Sequence, residues 1–199
     1  MPSGDKSISE PHSGDDFSRR MKAHLMFHAM TPASSQAITG WLRETERAVF
    51  SSALASLAAQ RKLRPIFVTR KTRTEQIAWM AEQLKSRLNE AIGENLLQIW
   101  LMKGRPAMLI SFLNALGVPH DGNGGIEGDI PATLDPDKIK AGVAALLEKH
   151  PTEEVAIYLN LFQLQQPGGW PELQTILDAD DRLHWVAAPE SVKRSASPR

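Results

Sequence analysis

The chain has 199 residues and no cysteine, which excludes disulfides, thiolate nucleophiles and cysteine-ligated zinc. Its 23 Lys and Arg balance 23 Asp and Glu, so bulk charge gives no pull towards nucleic acid or an acidic surface. No apolar run approaches the roughly eighteen residues of a membrane helix, and Met1-Pro-Ser-Gly-Asp-Lys has no apolar signal core, so the expectation is a cytoplasmic protein without membrane contact.

Residues 1–14 are rich in Ser, Pro, Gly and charge and read as a disordered tail. Asp15 and Asp16 suit the cap of a helix reaching about Met30, with Phe17, Met21, His24, Leu25 and His28 at helical spacing. Thr31-Pro32 then restarts a helix, Thr as cap and Pro at the first position. Its stripe of Ile38, Trp41, Leu42, Ala48, Val49, Ala53 and Leu57 implies one rod from about Ala33 to Gln60, roughly 42 Å long. The later part, residues 51–59, is made of small side chains that let a neighbour approach closely. Pro65 biases Arg64 away from helix, and Ile66-Phe-Val-Thr69 is β-prone, so residues 63–71 read as an extended connector or edge strand.

Thr72 and Glu75 have the spacing of a capping box. Ile77, Ala81, Leu84, Leu88 and Ala91 continue that helix, and Gly93 marks an expected break. Residues 106–117 carry only Ser111 and Asn114 as polar residues between Ala107 and Leu116, which implies a rod buried in the core. Pro106 starts it, Gly117 ends it in the left-handed conformation, and Val118 folds back onto Leu113. A Gly-rich acidic loop follows, from His120 to Asp129, and reads as mobile. Asp135-Pro136 opens a helix closed by His150-Pro151. Thr152-Glu153-Glu154 opens another to about Leu164, although residues 159–165 also alternate as a strand would. Pro171 to Asp178 is a short helix, and a polar tail begins at Pro189.

These elements make an all-α, irregular multi-helix domain of about seven helices, spanning residues 15–188 between disordered tails at 1–14 and 189–199. The alternative is an α+β fold with short edge strands at 66–69 and 183–187.

Residues 1–105 hold sixteen Lys/Arg against ten Asp/Glu, a net of +6, and residues 106–199 hold seven against thirteen, a net of −6. Two stretches concentrate this split. One is basic: Arg61, Lys62, Arg64, Arg70, Lys71 and Arg73. The other is acidic: Asp121, Glu127, Asp129, Asp135 and Asp137. Such segregation implies docking within the chain, self-association, or a charged partner.

The loop's acids fail the EF-hand register, and its glycines do not make a nucleotide fingerprint. His24 and His28, four apart, can share a helix face as metal ligands, and Asp178, Asp180, Asp181 and His184 supply four donors within seven residues. Both sets also read as ordinary structure, a part-buried histidine pair and a turn. His120 beside Asp121 is a weak acid–base candidate. Trp170 reads as an anchor docking its turn onto the core. No nucleophile elbow or phosphate loop occurs.

The leading expectation is therefore a non-enzymatic interaction or adaptor protein, self-associating or binding another protein, with no cofactor. A nucleic-acid or polyanion binder using Arg61 to Arg73 ranks second. A metal-dependent enzyme ranks third.

Overall fold

A computed structural model describes residues 21–185. The tails, the Asp15–Asp16 cap and Phe17 lie outside them. Ten α-helices and no strand occur among the described residues: α1 (Ala23–Ala29), α2 (Pro32–Thr45), α3 (Arg47–Gln60), α4 (Pro65–Thr69), α5 (Arg73–Gln83), α6 (Glu90–Gly104), α7 (Pro106–Leu116), α8 (Pro136–Lys149), α9 (Thr152–Phe162) and α10 (Pro171–Ala179). Short 3₁₀ turns add Arg87–Asn89 and Gln163–Gln165.

The start and stop signals work as written. Thr31 accepts from the Ser34 amide at 3.2 Å to cap α2. Thr72 and Glu75 form both bonds of the capping box on α5. Asp135 accepts from the Asp137 amide at 3.0 Å at the head of α8. Gly117 closes α7 at φ 73, and the Val118 amide reaches Leu113 O at 2.9 Å.

Four expectations fail for physical reasons. The rod 33–60 is two helices, because Glu46 leaves helical geometry at φ −119 and ψ 54. The break loses little hydrogen bonding: the Glu46 amide still bonds Leu42 O at 2.8 Å, and its carbonyl accepts from Phe50 at 2.9 Å. It re-aims α3 so that Phe50, Leu54 and Leu57 reach the core. Its small residues Ser51, Ser52, Ala55, Ser56 and Ala59 face outward. Secondly, residues 66–69 are helical and the α+β alternative is wrong. Arg64 is extended, as a residue before proline should be, but it caps a helical turn that Pro65 begins. Leu183 and His184 lie in a turn bonded to Asp180 O, while residues 186–187 are outside the described part.

Thirdly, the break expected at Gly93 falls at residues 84–89, and Leu88 is exposed rather than part of the stripe. Gly93 sits inside α6, where an added Cβ would lie 3.5 Å from Ala23 Cβ, so glycine admits α1 at close range. Fourthly, α7 is not the central rod. Met108, Leu109, Phe112, Leu113 and Leu116 are buried, but Ala107 and Asn114 face water. The fully buried helix is α9, in which every residue from 155 to 162 is inside. Asn160 within it satisfies its amide on Ala156 O at 2.8 Å.

One hydrophobic cluster runs from Met21 to Leu183. At its centre Phe112 meets Tyr158 and Phe162 edge-on at 5.6 and 5.4 Å, and Phe162 stacks on Trp170 at 4.7 Å. Helices α7 and α8 meet at buried Gly142, where a Cβ would lie 3.0 Å from Phe112 and 3.2 Å from Ala115. Gly142→Val should therefore push α8 off this aromatic centre and cost about 1–3 kcal/mol. Thermal unfolding followed by circular dichroism should show a Tm lower by several degrees, and an unchanged Tm would refute the close fit.

Candidate functional site

The basic stretch folds into a corner between α3 and α5. Helix α3 ends with Leu63 N bonded to Ala58 O and Lys62 N to Ala59 O, both at 2.9 Å, with Lys62 left-handed at φ 57. This paired closure turns the chain sharply into α4. Only Val68 of α4 is buried, at 1% exposure, whereas Leu63, Ile66 and Phe67 are 41%, 48% and 62% exposed. Three of the five exposed large apolar side chains of the described residues thus stand together here. All six basic residues of the stretch are exposed around them. Arg61 donates to Gln83 Oε1 at 2.6 Å, and Arg73 pairs with Glu44. Lys71 lies near Glu75, whose carboxyl is held below its usual range chiefly by the Thr72 hydroxyl and amide. The side chains of Lys62, Arg64 and Arg70 have no hydrogen-bond or ion-pair partner among the described residues.

The acidic segment is more ordered than a mobile loop. Asp121 Oδ1 accepts from the amides of Asn123 at 2.8 Å and Gly125 at 2.9 Å. The Asp121 amide in turn bonds Gly125 O at 2.9 Å, and Glu127 N bonds Pro119 O at 2.9 Å. His120 Nδ1 accepts from the Gly122 amide at 3.1 Å, which leaves Nε2 as the donor to Asn114 Oδ1 at 3.1 Å. Both ring nitrogens of His120 thus serve the loop's own geometry. Gly124, at φ 96, lies so close to α7 that an added Cβ would sit 2.6 Å from Leu109 Cβ. Further on, Trp170 Nε1 donates to Pro131 O at 2.8 Å, so the anchoring tryptophan fixes this segment too. Glu127, Asp129 and Asp137 are exposed without an ion-pair partner among the described residues, and Asp135 is used as the α8 cap. Ile130 is exposed in their midst.

Among the described residues no ion pair joins the two charged stretches. Arg73 pairs with Glu44 instead, and further ion pairs tie other elements, Lys103 to Glu46 at 2.9 Å and Arg105 to Glu154 at 2.6 Å.

The metal candidates do not converge. His24 is buried and bonded through Nδ1 to Glu90, which also accepts from the Ala23 and His24 amides, while His28 is exposed. Asp180 is taken by Arg182, through Nε at 2.9 Å and Nη2 at 2.7 Å, and His184 pairs with Asp178 at 3.2 Å. Asp181 is exposed. No group of three or more ligating side chains lies close enough to share a metal among the described residues. No helix among them is long and apolar enough to cross a membrane. Comparison with known proteins found no matching family model, curated protein or solved structure.

The Asp121 turn has a pH signature. Its carboxyl is held below the usual aspartate range, first by the Asn123 amide and then by that of Gly125. A depressed folded-state pKa means the turn is stabilised at neutral pH and loses that stabilisation as pH falls through the depressed value. Amide NMR signals of Asn123 and Gly125 should move together on acidification, with a midpoint below the usual aspartate value. A midpoint at or above that value would contradict the turn.

Proposed function

We propose that the protein is a non-enzymatic interaction protein that associates with itself head to tail. The basic corner of one copy, Leu63, Ile66 and Phe67 ringed by Lys62, Arg64 and Arg70, receives the acidic segment of another, with Ile130 among Glu127, Asp129 and Asp137. The observation that carries this is that each surface combines one sign of charge with exposed apolar side chains, and neither is neutralised by the other within the chain. Apolar contact supplies binding energy, and complementary charge supplies orientation and a faster encounter. A contact this small makes a weak, reversible interface. Because two different surfaces meet, each added copy leaves one of each free, which gives chains or rings. A cysteine-free chain suits a reducing cytoplasm, where we place it.

Six basic residues on one stretch also suit a phosphate backbone, and this second possibility shares the salt dependence. Three exposed apolar side chains among those residues favour a protein surface, since a phosphate backbone gives them nothing to bury against.

Sedimentation velocity separates the two. The protein should form larger species at about 50 mM salt and fall to monomer at about 500 mM, where exposed charges are screened. Phe67→Asp should abolish assembly, as should Asp129→Lys combined with Asp137→Lys. Mixing these two variants should restore one interface and stop at a dimer, because each retains the surface the other lacks. A wild-type monomer at low salt and high concentration sinks the proposal, and salt-sensitive retention of that monomer on RNA would favour the phosphate alternative.

A further inference from the structure

Beneath the acidic loop lies a cleft of about 260 Å³. Its walls come from α6, α7 and α9, and its rim from the loop itself: Leu101, Leu109 and Leu113 on the sides, Tyr158 and Phe162 at the base, Ile126 above. The close seat of Gly124 on Leu109 fixes the loop as a roof over this space.

One polar group in this wall is unsatisfied. Tyr158 is only 4% exposed, yet its hydroxyl has no hydrogen-bond partner among the described residues. Burial holds that phenol well above its usual range, so it stays neutral. The unpartnered side-chain atoms sealed from all access among the described residues are Asn89 Oδ1 and Glu172 Oε2. The Tyr158 hydroxyl is not one of these, so it keeps some access, and the cleft is the space Tyr158 lines. A hydroxyl whose access is to the cleft can exchange a hydrogen bond with whatever fills it.

From this geometry we infer that the cleft is a binding site for an uncharged, mainly apolar small molecule bearing one hydrogen-bonding group, held by Tyr158. Its size follows from the volume: a cavity of about 150 Å³ holds benzene, so 260 Å³ suits a two-ring molecule of roughly ten to twelve heavy atoms. Its charge follows from the surroundings. Asp121, Glu127 and Asp129 on the loop above repel an anion, and the lining itself carries no charged side chain, its polar groups beside Tyr158 being the amides of Gln98 and Gln165 and the loop backbone, so burying a charge there is unfavourable.

The probes are 2-naphthol, naphthalene and 2-naphthoate. Binding is read by amide NMR shifts at about 500 mM salt, which removes charge-driven assembly and keeps this outcome separate from the self-association test. 2-Naphthol should bind saturably and shift the amides of Gly124, Ile126 and Leu113. Tyr158→Phe should weaken 2-naphthol about three- to ten-fold, the worth of one hydrogen bond, and leave naphthalene unchanged. 2-Naphthoate should bind at least about ten-fold more weakly than 2-naphthol, because entering the cleft strips water from its carboxylate, a cost that salt does not screen. Met102→Trp, at a half-buried position on the cleft, should fill the space and abolish binding of all three. No saturable binding of 2-naphthol at its solubility limit overturns the site. So does binding that survives both Tyr158→Phe and Met102→Trp undiminished, or naphthoate binding as tightly as naphthol.

Discussion

The first turn of α9 is the constraint on which the other helices depend. A helix buried along its length cannot leave its leading amides or its charges unpartnered. Two adjacent carboxylates, Glu153 and Glu154, stand in the α9 first turn, where negative charge suits the helix dipole, and each finds its partners on other elements. Glu154 takes Arg105 in a two-pronged grip, Nε to Oε2 and Nη2 to Oε1, both at 2.6 Å. Arg105 is the joint between α6 and α7, and its guanidinium also lies 5.2 Å over the Trp100 ring. Glu153 takes the other side: it accepts from the Thr31 amide at 2.5 Å, the Thr31 hydroxyl at 3.0 Å and the Ser34 hydroxyl. One turn of helix thereby fixes the entry of α2 and the α6–α7 corner. Removing either carboxylate would strand partly buried donors as well as deleting a contact.

The same helix sets the chemistry at its other end. Tyr158 and Phe162 face Phe112 of α7, and Phe162 carries Trp170. Trp170 is in turn held by Gln163, whose Oε1 accepts its amide at 2.6 Å and whose Nε2 donates to its carbonyl at 3.0 Å. Its indole N–H then reaches Pro131. Loop position, cleft shape and the presentation of Ile130 and Asp129 thus trace back to aromatic packing on α9. The acidic surface is tied to the core at Gly124 and at Pro131, and the loop forms no helix or strand of its own.

Local chemistry was well legible in the sequence. Thr31, Thr72, Asp135, Gly117 and the prolines act through neighbours within a few residues, so their effect needs no tertiary knowledge. The failures share a cause, which is that packing decided them. Nothing near Glu46 signals a break, since the turn exists to bring α3 down onto the core. Pro65 announces a conformational change but not its kind, because an extended residue before proline serves a strand and a helix cap equally. Gly93 reads as a breaker in the sequence and is a close contact in the fold. The apolar character of α7 outweighed that of α9, yet burial on all sides depends on how many neighbours surround a helix. The charged stretches were legible residue by residue. Their lack of mutual pairing was not, and neither was the cleft, because Leu101, Leu109 and Tyr158 meet only in three dimensions.

The exposed side chains of α4 have a different standing from the rest of the apolar residues. Val68 anchors that turn, and the backbone of α4 is held by Pro65 and by bonds such as Arg70 N to Ile66 O at 3.1 Å. Folding therefore draws little on Leu63, Ile66 or Phe67, whose side chains gain little from burial within the chain. Solubility is lowered by placing them together on a surface. The surrounding cations offset that cost by keeping the patch hydrated and repelling a second basic corner, which disfavours face-to-face pairing of two identical patches. What remains favourable is an acidic surface with something apolar to offer. Since the fold does not lean on Phe67, a charge placed there leaves the core intact, so Phe67→Asp tests the proposed self-association without unfolding the chain.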